Sequence, residues 1–116
     1  MKRAIFFIFI ILTGGLLSNI CFAGDPIKGK ELFNLKGCSF CHDMHNGKRV
    51  GPDLRGVTKK YTDKELQRWL AETAAVYKEK GNRPINPGYT MMPSIKLTDK
   101  EIDDLIAYIK KIQPRQ

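Results

Sequence analysis

Apolar residues recur at helical spacing in three stretches of the chain, and the first stretch has a clear start and stop. It opens at Asp25-Pro26, a pair suited to the N-cap and first turn of a helix, and Gly37 ends it. Gly29 is unexpected inside this helix, where a glycine costs about 1 kcal/mol relative to alanine. Either the helix tolerates this glycine, or another helix crosses closely at that point.

The second and third stretches begin with the same capping signal. In Thr62-Asp63-Lys64-Glu65 and in Thr98-Asp99-Lys100-Glu101, a threonine is followed three residues later by a glutamate, which is the capping-box pattern. We predict one helix from the first box to about Lys80, stopped by Gly81, and a last helix that ends before Pro114. The positions at helical spacing are Leu66, Trp69, Leu70, Thr73 and Tyr77 in the former and Ile102, Leu105, Ile106, Ile109 and Ile112 in the latter.

Two long polar segments, rich in glycine and proline, separate these helices. They cover residues 43–58 and 82–93. Beyond residue 24 no run alternates as a β-strand would, so we predict an all-α domain of three main helices and two long loops. Long loops in a small domain commonly have a function, such as wrapping a ligand.

The first 23 residues have the features of a secretory signal peptide. Two basic residues precede the apolar run Ile5–Leu12, and the segment ends in a small residue, Ala23. We therefore expect a cleaved signal over residues 1–23, a single domain over residues 24–116 and a periplasmic location. A retained anchor that tethers the protein is the alternative, although the run is short and interrupted for a span of roughly 20 residues.

The chain is basic, with 20 Lys and Arg against 12 Asp and Glu and a formal net charge of +8. Only Lys2 and Arg3 of the basic residues lie in the expected signal. The charge favours partners with acidic surfaces, because opposite charges speed the encounter. The basic residues are scattered apart from short pairs such as Lys59-Lys60, so we expect a solvated surface and no nucleic-acid binding.

The strongest chemical signal is Cys38-Ser39-Phe40-Cys41-His42, the Cys-x-x-Cys-His pattern of c-type haem attachment. Two thiols on one turn can each form a thioether to one vinyl group of a single haem. His42 can then offer an imidazole nitrogen to the iron from the same side. Export is compatible with this chemistry, and with Cys21 in the signal a haem would use both remaining cysteines of the chain.

Zinc binding and a redox dithiol are the competing interpretations of the same motif. Cys38, Cys41, His42 and His45 are formally a Cys2His2 set, but they lack the long separation of zinc-finger ligands. A thioredoxin-like pair would be expected in a βαβ pattern, which this sequence does not have. Haem attachment is the interpretation that we adopt.

The sequence offers several candidates for a second axial ligand. Met44 and His45 follow His42 too closely to reach the opposite face of a haem, which leaves a lysine or the adjacent Met91 and Met92 of the second loop. Thioether sulfur is a soft ligand, and Met/His ligation raises the reduction potential of haem iron. The alternative is that these methionines merely fill the core.

Taken together, these features resemble the class I c-type cytochromes, which are small monohaem electron carriers. The resemblance covers nearly all of residues 25–112 in the same order. Its features are an N-terminal helix with Gly29 and Phe33, the haem motif, Gly51-Pro52-Asp53-Leu54, a helix with Trp69, then Met92-Pro93, and a last helix with Leu105 and Tyr108.

The resemblance implies a fold and a set of roles. The fold is that of cytochrome c, with one haem c attached through Cys38 and Cys41 and with His42 as the proximal ligand. Met92 is implied as the distal ligand, because in this family the ligating methionine commonly stands directly before proline. Pro52 resembles the proline whose carbonyl accepts the other ring N–H of the proximal histidine.

Two further points follow from the resemblance. Gly29 and Phe33 are implied as contacts of the first helix with Leu105 and Tyr108 on the last, which would explain the glycine by a close helix crossing. Met91 stands beside Met92 and leaves the choice of distal ligand open.

We therefore expect a one-electron carrier that serves redox partner proteins and is not an enzyme. Apart from His42, the only other histidine is His45, so no pocket of acid and base groups is indicated. The main alternative is a haem-bearing subunit of a larger oxidoreductase complex. A five-coordinate sensor or peroxidase-like enzyme would need an open distal site, against which the Met-Met-Pro loop argues. With the signal cleaved, we expect no stable membrane insertion.

Overall fold

The computed structural model describes residues 24–44 and 49–115, and its regular structure in these ranges is α-helical, without a β-strand. The prediction of an all-α fold is confirmed. The expected signal peptide lies outside the described residues. The helices are α1 (Pro26–Leu35), α2 (Cys38–Cys41), α3 (Val57–Lys60), α4 (Asp63–Ala71), α5 (Thr73–Glu79) and α6 (Asp99–Lys111).

None of the helices in the described ranges has the length and apolar character needed to cross a membrane.

The predicted caps are present at the helix starts. The Asp25 side chain accepts from the Ile27 N–H at 2.9 Å at the start of α1. Thr62 and Thr98 each complete a reciprocal capping box at the starts of α4 and α6. These bonds satisfy main-chain donors that a helix start otherwise leaves unpaired, and they hold the two helix starts beside the long loops.

Helices α1 and α6 cross at Gly29. A Cβ atom at Gly29 would overlap the main-chain oxygen of Asp104 and lie 2.7 Å from the Tyr108 Cβ. Next to this crossing, the Phe33 and Tyr108 rings meet edge to face with centroids 5.6 Å apart, and Leu105 is 1% exposed. The glycine is therefore explained by a close crossing, as expected, and its nearest neighbour is the main chain of Asp104 rather than an apolar side chain.

Asp104 is a buried carboxylate at this crossing, with 2% of its surface exposed. It accepts a hydrogen bond from the Asp25 main-chain N–H at 2.7 Å and one from the Lys100 ammonium at 3.1 Å. Burial opposes ionisation of this carboxyl, but the two donors outweigh burial and lower its pKa. The start of α1 is thereby fastened to the middle of α6.

The prediction of a single helix from Thr62 to about Lys80 is wrong, because two helices, α4 and α5, occupy this stretch. The helix breaks at Glu72, where φ is −129° and ψ is 39°, and α5 starts at Thr73. Thr73 is 2% exposed, and its hydroxyl donates to the Trp69 carbonyl at 2.7 Å. A hydroxyl bond to the carbonyl four residues back commonly bends a helix. Tyr77, on α5, is buried and lines the cavity described below.

Of the two predicted loops, the second is confirmed and the first is shorter than predicted. Residues 82–93 contain no helix, as predicted. The loop predicted over residues 43–58 ends earlier than expected, because Gly56, at φ 75°, starts the short helix α3. Its described part runs from Asp43 to Met44 and resumes at Arg49. The two loops approach each other where the Thr90 N–H donates to the Val50 carbonyl at 3.3 Å.

Candidate functional site

The Cys-x-x-Cys-His motif lies on a single helical turn followed by extended chain. Gly37, at φ 80°, turns the chain out of α1 and into α2, which carries Cys38 and Cys41. Cys38 and Cys41 form no disulfide, and both are half-buried and line one cavity with His42. Burial raises the pKa of the Cys38 thiol. The turn therefore brings both thiols and the imidazole of the motif to one cavity.

The imidazole of His42 is oriented by the first long loop. Its Nδ1 lies 2.8 Å from the Pro52 carbonyl oxygen. A carbonyl can only accept, so Nδ1 carries the hydrogen and Nε2 keeps its lone pair for a metal. A carbonyl of this kind is the usual partner of a metal-bound histidine, and it raises the basicity of the ligating nitrogen.

Gly51 allows the loop to approach the imidazole this closely. Its N–H donates to the Cys41 carbonyl at 2.7 Å. A Cβ atom at this position would lie 2.9 Å from the His42 Cε1 and 3.0 Å from the Cys41 oxygen. The loop thus lies against the motif through its main chain, and the close approach leaves no room for a side chain at this position.

The cavity has a volume of about 310 Å³ and is walled chiefly by aromatic and aliphatic side chains. Its lining includes Phe33, Leu54, Tyr61, Leu66, Trp69, Leu70, Tyr77, Leu97, Leu105 and Ile109. Trp69 meets Tyr61 and Tyr77 edge to face, with ring centroids 6.5 Å and 5.2 Å apart. These rings give the cavity a rigid apolar wall.

Met91 and Met92 both line the cavity, in the second long loop. Met91 is 40% exposed, whereas Met92 is half-buried. The Met92 N–H donates to the Tyr77 hydroxyl at 2.8 Å. The structure therefore brings the sequence-predicted residues Cys38, Cys41, His42 and Met92 together around one cavity, with Pro52 beside the imidazole.

Met44 has a different position. It is 6% exposed and packs in the core with Phe33, Leu105 and Ile109. Its side chain therefore serves the packing between α1 and α6. His45, the other residue set aside as a distal ligand, lies outside the described residues.

The donor set and the cavity fit a haem. Two thiols, an imidazole with a free Nε2 and a thioether sulfur surround an apolar space, which suits a large apolar ring with iron at its centre. Over residues 24–44 and 49–115, no three His, Cys, Asp or Glu side chains converge as a site for a bare metal ion. His45 of the formal zinc set is not among these residues.

Sequence reasoning missed Gln113, which fastens the loop after Pro52 to the end of α6. Its side-chain amide donates to the Leu54 and Ile109 carbonyls at 3.0 and 2.8 Å, and its carbonyl oxygen accepts from the Gly56 N–H at 2.6 Å. No local signal marks this residue, because two of its partners, Leu54 and Gly56, lie 59 and 57 positions away in the sequence. The Tyr77 hydroxyl was missed for the same reason.

The fold and the site define a class, the small all-α proteins that hold a haem through a Cys-x-x-Cys-His turn. The family model described as Cytochrome c matches residues 27–113. The chain is also similar to cytochrome c-551 of Azotobacter vinelandii, with 35% identity over 81 residues that cover 70% of this chain and 93% of that protein. The chain belongs to the cytochrome c family.

Solved structures agree on the fold. An engineered cytochrome c from Rhodothermus marinus superimposes with a TM-score of 0.64 at 20% identity, over 75% of this chain and 76% of that one. A cytochrome c from Rhodothermus marinus gives a TM-score of 0.57 at 22% identity, over 75% of each chain. The prediction of a cytochrome c fold is thus confirmed.

Family membership identifies the cofactor. The protein carries one covalently bound c-type haem, and Cys38 and Cys41 stand in the attachment motif. It is an electron carrier with a c-type haem, and cytochromes c act with redox partners.

Proposed function

We propose that this protein is an exported, periplasmic one-electron carrier whose haem iron is held between His42 and Met92. The observation that supports this most directly is that both side chains line one apolar cavity, with the His42 Nδ1 already engaged by the Pro52 carbonyl. The export rests on the signal-like residues 1–23.

On the proximal side, His42 would ligate through Nε2. The bond from Nδ1–H to Pro52 leaves only that nitrogen available and keeps the ring from rotating. Gly51 and the Cys41 carbonyl hold the loop that carries Pro52. The groups that hold the imidazole are thus main-chain groups, which do not titrate.

On the distal side, we assign Met92 rather than Met91. Met92 is the less exposed of the two, its N–H is held by Tyr77, and it directly precedes Pro93. A proline restricts the residue before it to extended conformations, so the main chain of Met92 is constrained on both sides. Its thioether would raise the reduction potential relative to a second nitrogen ligand.

When bound, the haem supplies a one-electron couple between ferric and ferrous iron. His42 and Met92 would hold the iron in both states, and the cavity around them is lined chiefly by apolar side chains. Little then needs to reorganise when an electron arrives or leaves. With both axial positions filled by the protein, a substrate has no place at the iron, so we propose a carrier and not an enzyme.

The partners that we propose are redox proteins with acidic docking patches. The net charge of +8 falls to +6 once Lys2 and Arg3 are removed with the signal, because 8 − 2 = 6, and it still favours such partners, since long-range attraction raises the rate of encounter. Phe40, within the haem motif, is 77% exposed, so an apolar side chain is available for a partner close to the haem. Complexes of this kind typically have a small interface and are short-lived.

A haem-bearing subunit of a larger oxidoreductase complex is the second candidate function. The observation in its favour is the exposure of large apolar side chains, with Leu35 80% and Ile27 66% exposed on α1. A stable partner could cover this helix. Co-purification of a second polypeptide in a fixed ratio would support the subunit, whereas purification as a monomer would support the carrier.

The test of the proposal is to purify the exported protein, record a reduced-minus-oxidised spectrum and measure its mass. We expect the spectrum of a six-coordinate c-type haem. We also expect the mass of residues 24–116 plus one haem, which does not dissociate in acid. A haem that can be extracted would contradict attachment through Cys38 and Cys41, and a mass that includes residues 1–23 would contradict cleavage.

A further inference from the structure

Two chemically identical candidate ligands, Met91 and Met92, are adjacent in the second loop. Met91 and Met92 both line the cavity, and residues 89–98 form neither helix nor strand. No regular ladder of hydrogen bonds therefore fixes which of the two faces the iron. Met92 is half-buried, whereas Met91 is 40% exposed at the edge of the cavity. Because successive side chains of an extended chain point in opposite directions, a rotation of the main chain would turn Met91 inward and Met92 outward.

The Tyr77 hydroxyl contacts the main chain at this point. It accepts the Met92 N–H at 2.8 Å, although Tyr77 lies on α5, fifteen residues earlier. The ring is 6% exposed and is held edge to face against Trp69, with centroids 5.2 Å apart. A buried phenol packed on a helix is a rigid anchor, because few rotamers are open to it.

Pro93 constrains the same residue from the other side. Its ring fixes its own φ and disfavours the helical region for Met92. The Thr90 N–H is bonded to the Val50 carbonyl, but this bond is longer, at 3.3 Å, and lies two residues away. Of these contacts, the one from Tyr77 acts directly on the residue that carries the proposed ligand.

We propose that Tyr77 is a positioning residue that selects Met92 over Met91 as the distal ligand, through the hydrogen bond from the Met92 N–H to its hydroxyl. The proposal rests on His/Met ligation and adds to it the reason for the choice of sulfur. Without the hydroxyl, the Met92 N–H loses its acceptor, and the loop is free to present Met91.

The experiment uses the exported holoprotein labelled with ¹³C at the methionine methyl groups. A methyl group bound next to a ferrous haem lies over the ring and is shifted strongly upfield by the ring current. Met91→Leu and Met92→Leu variants assign the signals. In the unsubstituted protein we expect the Met92 methyl to be the shifted one.

The decisive comparison is made in the Met92→Leu background. With Tyr77 in place, the loop is held and Met91 should not reach the iron, so no methyl is shifted upfield. In the double variant Tyr77→Phe/Met92→Leu, the Met91 methyl should move upfield. Phenylalanine keeps the ring that packs on Trp69, so the cavity wall is preserved.

The single variant Tyr77→Phe supplies a second readout that does not depend on Met91. Loss of one hydrogen bond should speed exchange of the Met92 amide hydrogen about five- to tenfold. Tyr108→Phe is the matched control, because it removes a hydroxyl from a ring that packs on Phe33, away from the loop. It should leave both the exchange rate and the methyl shifts unchanged.

The outcomes separate the two proposals. An unsubstituted protein with no upfield methyl overturns His/Met ligation, and the selection by Tyr77 falls with it. A shifted Met91 methyl in the unsubstituted protein overturns the assignment of Met92 and the selection together. Suppose instead that Met92 is the ligand in the unsubstituted protein. If the Met91 methyl signal is then the same in Met92→Leu and in Tyr77→Phe/Met92→Leu, only the selection by Tyr77 is overturned.

Discussion

The carboxylate of Asp104 accepts a 2.7 Å hydrogen bond from the main-chain N–H of Asp25, the residue that caps α1. The two residues are 79 positions apart, so this bond joins the beginning of the described chain to its last helix. It lies beside Gly29, where the two helices cross. The close crossing therefore includes a buried, charged hydrogen bond as well as apolar packing.

Removing this carboxylate should destabilise the fold. In Asp104→Ala, the Asp25 N–H loses a charged acceptor, and we expect the free energy of unfolding to fall by about 2 kcal/mol. Asp104→Asn keeps an acceptor and should cost less. Urea unfolding of the holoprotein measures both. The control is Asp103→Asn, which removes charge from the adjacent residue, whose carboxylate accepts one long bond of 3.4 Å from Gln67. An equal loss in this control would refute a special role for Asp104.

The same carboxylate should make stability depend on pH. Its pKa is lowered in the folded protein, so the ionised form stabilises the fold at pH values above the unfolded pKa of about 4. That contribution is lost as the pH falls through the folded pKa. We therefore expect the stability difference between the unsubstituted protein and Asp104→Asn to be constant near neutrality and to shrink below about pH 4. Urea midpoints measured down a pH series test this, and a constant difference would contradict it.

Gly51→Ala should disturb the imidazole without changing any ligand. The new Cβ would lie 2.9 Å from the His42 Cε1, so either the ring or the loop must move. We expect a loss of about 1–3 kcal/mol in stability, as for other overpacked sites, and a changed reduction potential. Pro52→Ala is the control, because the main-chain carbonyl that faces His42 remains. If Pro52→Ala changed the potential as much as Gly51→Ala, any substitution in this loop would have that effect, and the close approach of Gly51 to the imidazole would not be the cause.

Met92→Ala should remove the spectral signature of a methionine-ligated haem. The reduction potential should move downward, because the thioether that favours ferrous iron is lost. Met91→Ala is the matched control, since it removes the same side chain one position away, and it should leave both properties unchanged. Spectroscopy and potentiometric titration of the two variants measure this. The reverse pattern would assign the ligand to Met91.

Much of the fold was predictable because its signals are local. The capping boxes at Thr62 and Thr98 formed as predicted, since a cap involves residues only three positions apart. The end of α1 before Gly37 followed from the freedom of glycine to adopt a positive φ. The break at Glu72 was not predictable from spacing, because Thr73 and Tyr77 continue a helical pattern. It depends on where the buried face of α5 lies in the folded chain.

The sequence by itself determined the chemistry of this protein, since the order Cys-x-x-Cys-His places two thiols and an imidazole on one turn whatever surrounds them. Only the tertiary structure decided how those groups are used. The distance from Pro52 to His42 and the contact of Tyr77 with Met92 both depend on how the long loops close. A motif is set by bonds along the chain, whereas the orientation of a ligand is set by residues distant in sequence that come together when the core forms.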